Sequence, residues 1–195
     1  MLFRSKEAAE LPRPAIRDKW QDATVWAKAI GAARSGDIQA AQTGVGDLRE
    51  LVSEREKRMT KNGYKISSEK ATDLREAEAW LAFAQGKNDE ALTEMRAAAD
   101  HQDKEGGESV NIPAREMLAD MLMELKRPKE AQLEYALELK SAPNRFDGLQ
   151  GAARAAQANG DSNGAQTYFA KLVENCGAGA DRPELAEAKT VLAKK

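Results

Sequence analysis

Cysteine and histidine each occur once in this chain of 195 residues, and aromatic side chains make up only 5% of it. The single cysteine, Cys176, excludes an intramolecular disulfide and any cysteine-based metal cluster. It lies in the loop-like stretch NCGAGADRP with no base beside it, and reads as an incidental thiol rather than a nucleophile. No run approaches the ~18 consecutive apolar residues of a membrane span. The opening MLFRSKEAAELPRP has no apolar core of a secretory signal. The chain as it stands is therefore expected to be soluble and cytoplasmic, with a periplasmic location the alternative if a leader or an N-terminal portion precedes it. No excess of one charge exists either: 30 Lys and Arg against 32 Asp and Glu leave a net charge of −2. That balance gives no reason for general affinity to nucleic acid. Gly106-Gly107 is followed by Glu-Ser-Val and so makes no phosphate-binding loop. Neither a GxSxG elbow, an HExxH helix nor a CxxC pair is present, and no cofactor is expected.

What is present is alanine, leucine and charge in helical phase. Hydrophobic residues are 42% and charged residues 32% of the chain, ordinary for packed helices. Between Asn111 and Glu174 one pattern occurs twice at an offset of 34 residues: Ala119 and Ala153, Lys126 and Gly160, Ala131 and Ala165, Tyr135 and Phe169. That is the period of tetratricopeptide (TPR) repeats, in which a helix, a turn and a second helix form one unit. In the first copy Met117, Leu118, Met121, Leu122 and Leu125 make one apolar stripe, and Ala131, Tyr135 and Leu139 the next. In the second copy Leu149, Ala152, Ala153 and Ala156 face Ala165, Tyr168, Phe169 and Leu172. Neither copy could cover its stripes alone, so the units must stack, with Tyr135 and Phe169 filling the space between neighbours.

Along the whole chain the same reading predicts an all-α, right-handed α-solenoid of about four TPR-like hairpins with a C-terminal capping helix. Residues 1–18, with Pro12 and Pro14, form an irregular N-terminal arm, and residues 19–195 one helical repeat domain. Hairpins fall near 22–59, 70–101, 112–140 and 145–174, and the cap near 183–193, with Asp181 as its N-cap and Asn88 as the N-cap of the fourth helix. The surplus over the regular period lies in KNGYKISSEK, which carries the Asn62-Gly63 turn signal, and in the charged loop HQDKEGGESVN.

The chain resembles the C-terminal portion of a family of longer bacterial TPR proteins, many of them exported. The resemblance rests on Ile112-Pro113-Ala114-Arg115-Glu116-Met117-Leu118, Pro143-Asn144-Arg145-Phe146, Gly151-Ala152-Ala153-Arg154-Ala155-Ala156 and Arg182-Pro183-Glu184-Leu185-Ala186. It covers the second half well and the first half loosely, and implies an α-solenoid with a binding or scaffolding role.

In such a superhelix the first helix of each pair lines the concave face. One register places Trp26, Arg34, Asp73, Glu76, Trp80, Phe83, Glu116, Asp120, Met123, Gln150, Arg154 and Gln157 there. Aromatics, carboxylates and arginines together suit a peptide segment or partner protein, with Arg34 and Arg154 able to clamp a carboxylate. The bland alternative is that Trp26 and Trp80 cover the extended helices and that Arg154 pairs with Glu116 or Asp120 between repeats. Glu116 and Asp120, at i and i+4, also suggest a second function: a hydrolase, metal-dependent if Glu76 or His101 joins them. Self-association into a homo-oligomer is a further expectation, through the first repeat or the N-terminal arm.

Overall fold

Four turns of one design set the architecture of the chain, seen here in a computed structural model that describes residues 5–12, 21–65, 70–106, 112–176 and 182–193. Gly36, Gly86, Lys126 and Gly160 all take positive φ, at 84°, 76°, 59° and 79°. In each case the next residue donates its N–H to the carbonyl five positions back: Asp37 to Ala32, Lys87 to Ala82, Arg127 to Leu122 and Asp161 to Ala156, at 2.8–3.0 Å. This closes the preceding helix with a left-handed cap, and its carbonyls are satisfied without water.

The turns join antiparallel pairs. Helix α2 (Gln21–Ser35) pairs with α3 (Ile38–Lys61), α4 (Thr72–Ala84) with α5 (Asn88–Glu105), α6 (Ala114–Glu124) with α7 (Pro128–Ser141), and α8 (Phe146–Ala158) with α9 (Ser162–Cys176). A final helix, α10 (Pro183–Ala193), packs on α9. Among the described residues there is no β-strand. The chain is thus all-α and of the TPR-like α-solenoid class, with four helical hairpins and a terminal helix among the described residues. It falls into two compact units, one within Leu2–Gly107 and one within Glu108–Lys195.

Counting from the left-handed residue aligns all four hairpins, although their spacings of 50, 40 and 34 residues differ. Five positions on stand Ala41, Ala91, Ala131 and Ala165, and seven positions back Ala29, Ala79, Ala119 and Ala153, all buried. Methyl groups at these points let paired helices approach closely; a Cβ on Gly44 would already lie 2.9 Å from Ala29. Nine positions on, the larger residue is Val45, Met95, Tyr135 and Phe169 in turn, again buried. Tyr135 and Phe169 therefore sit inside, as the repeat pattern requires. In the second unit Leu149, Ala153, Phe169 and Leu172 share one core with Leu185 and Ala188 of α10, so the last helix covers the apolar edge of the last hairpin.

Several boundaries differ from the sequence reading. Within the stretch expected to be irregular, Ser5–Ala9 forms a short helix, α1. It lies against Gly31 of α2, where a Cβ would come within 2.7 Å of Ser5 O and Ala9 N. Helix α5 runs through His101 to Glu105 before Gly106 ends it, because Gln102, Asp103, Lys104 and Glu105 carry no helix breaker. Its cap position is Lys87, with Asn88 already helical. Cys176 ends α9 rather than lying in a loop. Asp181 lies outside the described residues. Side-chain caps do occur where the chain turns into α3 and α9: Asp37 accepts from Ala40 N–H at 2.9 Å and Asp161 from Gly164 N–H at 2.9 Å.

Candidate binding faces on the inner helices

The inner helices are α2 and α4 in the first unit, α6 and α8 in the second. Ten positions before each turn stand Trp26, Glu76, Glu116 and Gln150, and every one of them is buried, 1–5% exposed. An inner helix packs on its own hairpin partner and on the inner helix of its neighbour, so positions that look polar on a helical wheel fall between two helices. This one geometric fact explains why much of the polar register read from the sequence is enclosed.

In the first unit five of the expected residues make two contacts, one a pair and one a group of three. Trp26 Nε1–H donates to Glu76 Oε2 at 2.7 Å, joining α2 to α4. Burial pushes the Glu76 carboxyl up to about 8; the indole hydrogen bond pulls the other way and Asp73 adds to the rise. Trp80 is 1% exposed, with the Arg34 guanidinium 4.2 Å from its ring centroid and the Phe83 ring edge-to-face with it, centroids 5.5 Å apart and planes at 75°. Arg34 and Phe83 are half-buried. The result is a layered face: the Trp80 indole below, a cation and a phenyl ring at the surface. Asp73 is committed elsewhere, since with Asp22 it holds Arg55 of α3 at 2.9–3.3 Å.

In the second unit the expected pairings change. Arg154 does not reach Glu116 or Asp120; its Nε donates to both carboxylate oxygens of Glu187 on α10, at 3.0 and 3.3 Å. Glu116 is held instead by Arg145, at the start of α8, at 2.6 and 3.3 Å. Asp120 accepts from Tyr135 Oη–H at 2.6 Å. These two carboxylates are therefore buried and engaged, not displayed on a solvated face. Gln150 is enclosed, Met123 half-buried and Gln157 exposed. His101, in the first unit, is bonded through Nδ1 to Thr72 Oγ1 at 2.9 Å. Among the described residues no three His, Cys, Asp or Glu side chains converge where they could hold a metal ion.

Glu138, on α7, escaped the sequence reading. It is 4% exposed and lies 3.9 Å from Arg145, and neither of its oxygens has a hydrogen-bond partner among the described residues. Burial, reinforced by Glu116 and Asp147 and opposed by Arg145, pushes its carboxyl up to about 7. Burial likewise raises Glu116 despite Arg145. The available signal was phase: Ala131, Tyr135 and Glu138 share one face at i, i+4 and i+7, which sends Leu133 and Leu137 outward, 61% and 39% exposed.

No protein-family model matches the chain, and no curated protein does. Among solved structures it is similar to the C-terminal part of a TPR repeat-containing protein from Cytophaga hutchinsonii, at 16% sequence identity and a TM-score of 0.37, over 95% of this chain and 77% of that one. No helix among the described residues is long and apolar enough to cross a membrane.

Proposed function

We propose that this chain is a non-catalytic peptide- or protein-binding module, and that its recognition face in the first unit is the surface of α2 and α4 built on Arg34, Trp80 and Phe83. One observation carries the reading: a guanidinium lies over a buried indole, with an aromatic edge beside it, on a half-exposed face. A guanidinium stacked in this way is held as a flat cation, which attracts a carboxylate, while Phe83 offers an apolar contact next to it. The preferred ligand is a peptide segment with a carboxylate adjacent to an apolar side chain. In the second unit Arg154 and Gln157 offer a smaller face, where a ligand carboxylate would compete with Glu187 for Arg154. The hydrolase alternative gains no support from Glu116 and Asp120, which are enclosed by Arg145 and Tyr135.

Selection of a displayed random-peptide library on the purified chain, followed by fluorescence anisotropy with the recovered peptides, tests the reading. Arg34→Ala should weaken capture about tenfold or more, the scale of one lost charge-assisted bond, with the helical circular dichroism unchanged. Peptides without a carboxylate, or capture indifferent to both Arg34→Ala and Phe83→Ala, would remove this face from consideration.

A further inference from the structure

Helix α3 is 24 residues long, against 15 for α2 and 13 for α4, the two helices it packs on. Among the described residues, the side-chain bond to them nearest its C-terminus is made by Arg55, held by Asp22 in the first turn of α2 and by Asp73 in the first turn of α4. The six residues Glu56–Lys61 therefore carry the helix about 9 Å beyond that clamp. The projection ends in a complete cap: Gly63 takes φ 80°, and Tyr64 N–H donates to Met59 O at 3.0 Å. A helix end with its carbonyls satisfied holds its shape without further packing.

The chemistry of this tip is unlike that of the rest of a chain whose charges nearly cancel. From Lys57 to Lys65 the sequence is KRMTKNGYK: Lys57, Arg58, Lys61 and Lys65 with no acidic residue among them, Glu54 and Glu56 preceding. All four cations are exposed, and none has an ion pair among the described residues. The helix dipole accounts for basic residues in the last turn. It does not account for Met59 and Tyr64, which stand at the same end 40% and 64% exposed.

We propose that the tip of α3 is a peripheral docking point for an anionic lipid bilayer, with Lys57, Arg58, Lys61 and Lys65 at the headgroups and Met59 and Tyr64 at the edge of the acyl layer. Charge complementarity selects an anionic partner, and shape selects a bilayer. A single-stranded nucleic acid needs a groove along which successive phosphates and bases are tracked. A helix end that exposes four cations together with two apolar side chains instead fits a flat surface with charge outside and hydrocarbon beneath, and tyrosine is at home at that boundary. The contact lies apart from Arg34, Trp80 and Phe83, and does not depend on what they bind.

The experiment is co-sedimentation of the full chain with vesicles of phosphatidylcholine alone and with vesicles in which about a third of the lipid is phosphatidylglycerol, a content that gives an appreciable negative surface potential. Binding is expected to the anionic vesicles only and to fall as salt is raised. The variant carrying Lys57→Ala, Arg58→Ala, Lys61→Ala and Lys65→Ala should lose affinity on the order of several hundredfold, at about fivefold per cation. Alanine favours helix, so this variant should keep its circular dichroism. Tyr64→Ala should weaken binding while leaving its salt dependence unchanged, which keeps the test valid even if the fourfold variant unfolds. Equal binding to both vesicle types, no loss in the fourfold variant, or capture of a labelled single-stranded oligonucleotide without capture of vesicles would overturn the proposal.

Discussion

Lys126 occupies the one left-handed turn of the four that is not glycine, at φ 59°. A side chain there brings its Cβ against the following carbonyl, at a cost of order 1 kcal/mol that glycine avoids. Part of the gain from removing it returns as extra freedom of the unfolded chain. Lys126→Gly should therefore stabilise the second unit by about 0.5–1 kcal/mol, the balance of those two effects, seen as a higher urea midpoint with an unchanged slope. A drop in the midpoint would mean that the lysine side chain contributes something its exposed position does not suggest. The same residue shows what a sequence makes visible. Lys126 aligns with Gly160 because the Ala and aromatic landmarks after each turn agree, so the turn was legible even where its usual residue was missing. What the alignment did not give was depth. Glu116, Asp120 and Gln150 lie on the inner helices but are enclosed, because burial there depends on the neighbouring helix and not on the helix's own wheel.

At the scale of the element, glycine inside a helix has two opposite meanings here. Gly46, in α3, has nothing within 4 Å of where its Cβ would be. Gly46→Ala should then raise stability by roughly 0.5–1 kcal/mol through helix propensity alone. Gly151, in α8, lies so close to the Tyr135 ring of α7 that a Cβ would fall 2.3 Å from it. Gly151→Ala must move Tyr135, whose hydroxyl is bonded to Asp120, or separate two helices, and should cost several kcal/mol, the upper range of overpacking. Thermal unfolding followed at 222 nm separates the two, and equal effects would show that the α7–α8 contact is looser than its geometry. The four hairpins and the terminal helix, in their order, were readable from periodicity, because amphipathic phase is a local property; the short helix α1 was not. The Arg145–Glu116 pair and the buried Glu138 were not, since the pair requires α6 and α8 to meet and the surroundings of Glu138 bring α7 to them as well. The pairing of Arg154 with Glu116 or Asp120 failed for a similar reason: its partner Glu187 lies on the terminal helix, which the sequence marked only as a cover.

For the molecule as a whole, the carboxyls raised by burial set the direction in which stability responds to pH. Glu76 in the first unit is raised to about 8 and Glu138 in the second to about 7, both from 4.5. Between the unfolded and folded values the native chain holds protons that the unfolded chain has released, so stability falls as pH rises, by at most ~1.4 kcal/mol per pH unit for each group. The contribution is complete below the unfolded value near 4.5 and is lost as pH passes the folded value. Two groups act in the opposite sense. Burial would raise Glu78, but Lys70 and Arg49 more than offset it and hold the carboxyl low. The Gly164 N–H and Gln132 hold Asp161 low as well. Their support is lost only in stronger acid, below the usual carboxylate range. The expected profile is a maximum on the mildly acid side and a decline from about pH 5 to about pH 8. Glu76→Gln should flatten that decline in the unfolding of the first unit, followed through the Trp26 indole bonded to this side chain, and Glu138→Gln should flatten it in the second. A stability that rises steadily across this range in the native chain would show that both carboxyls ionise within the fold, with water or a shifted arginine reaching sites the present packing closes.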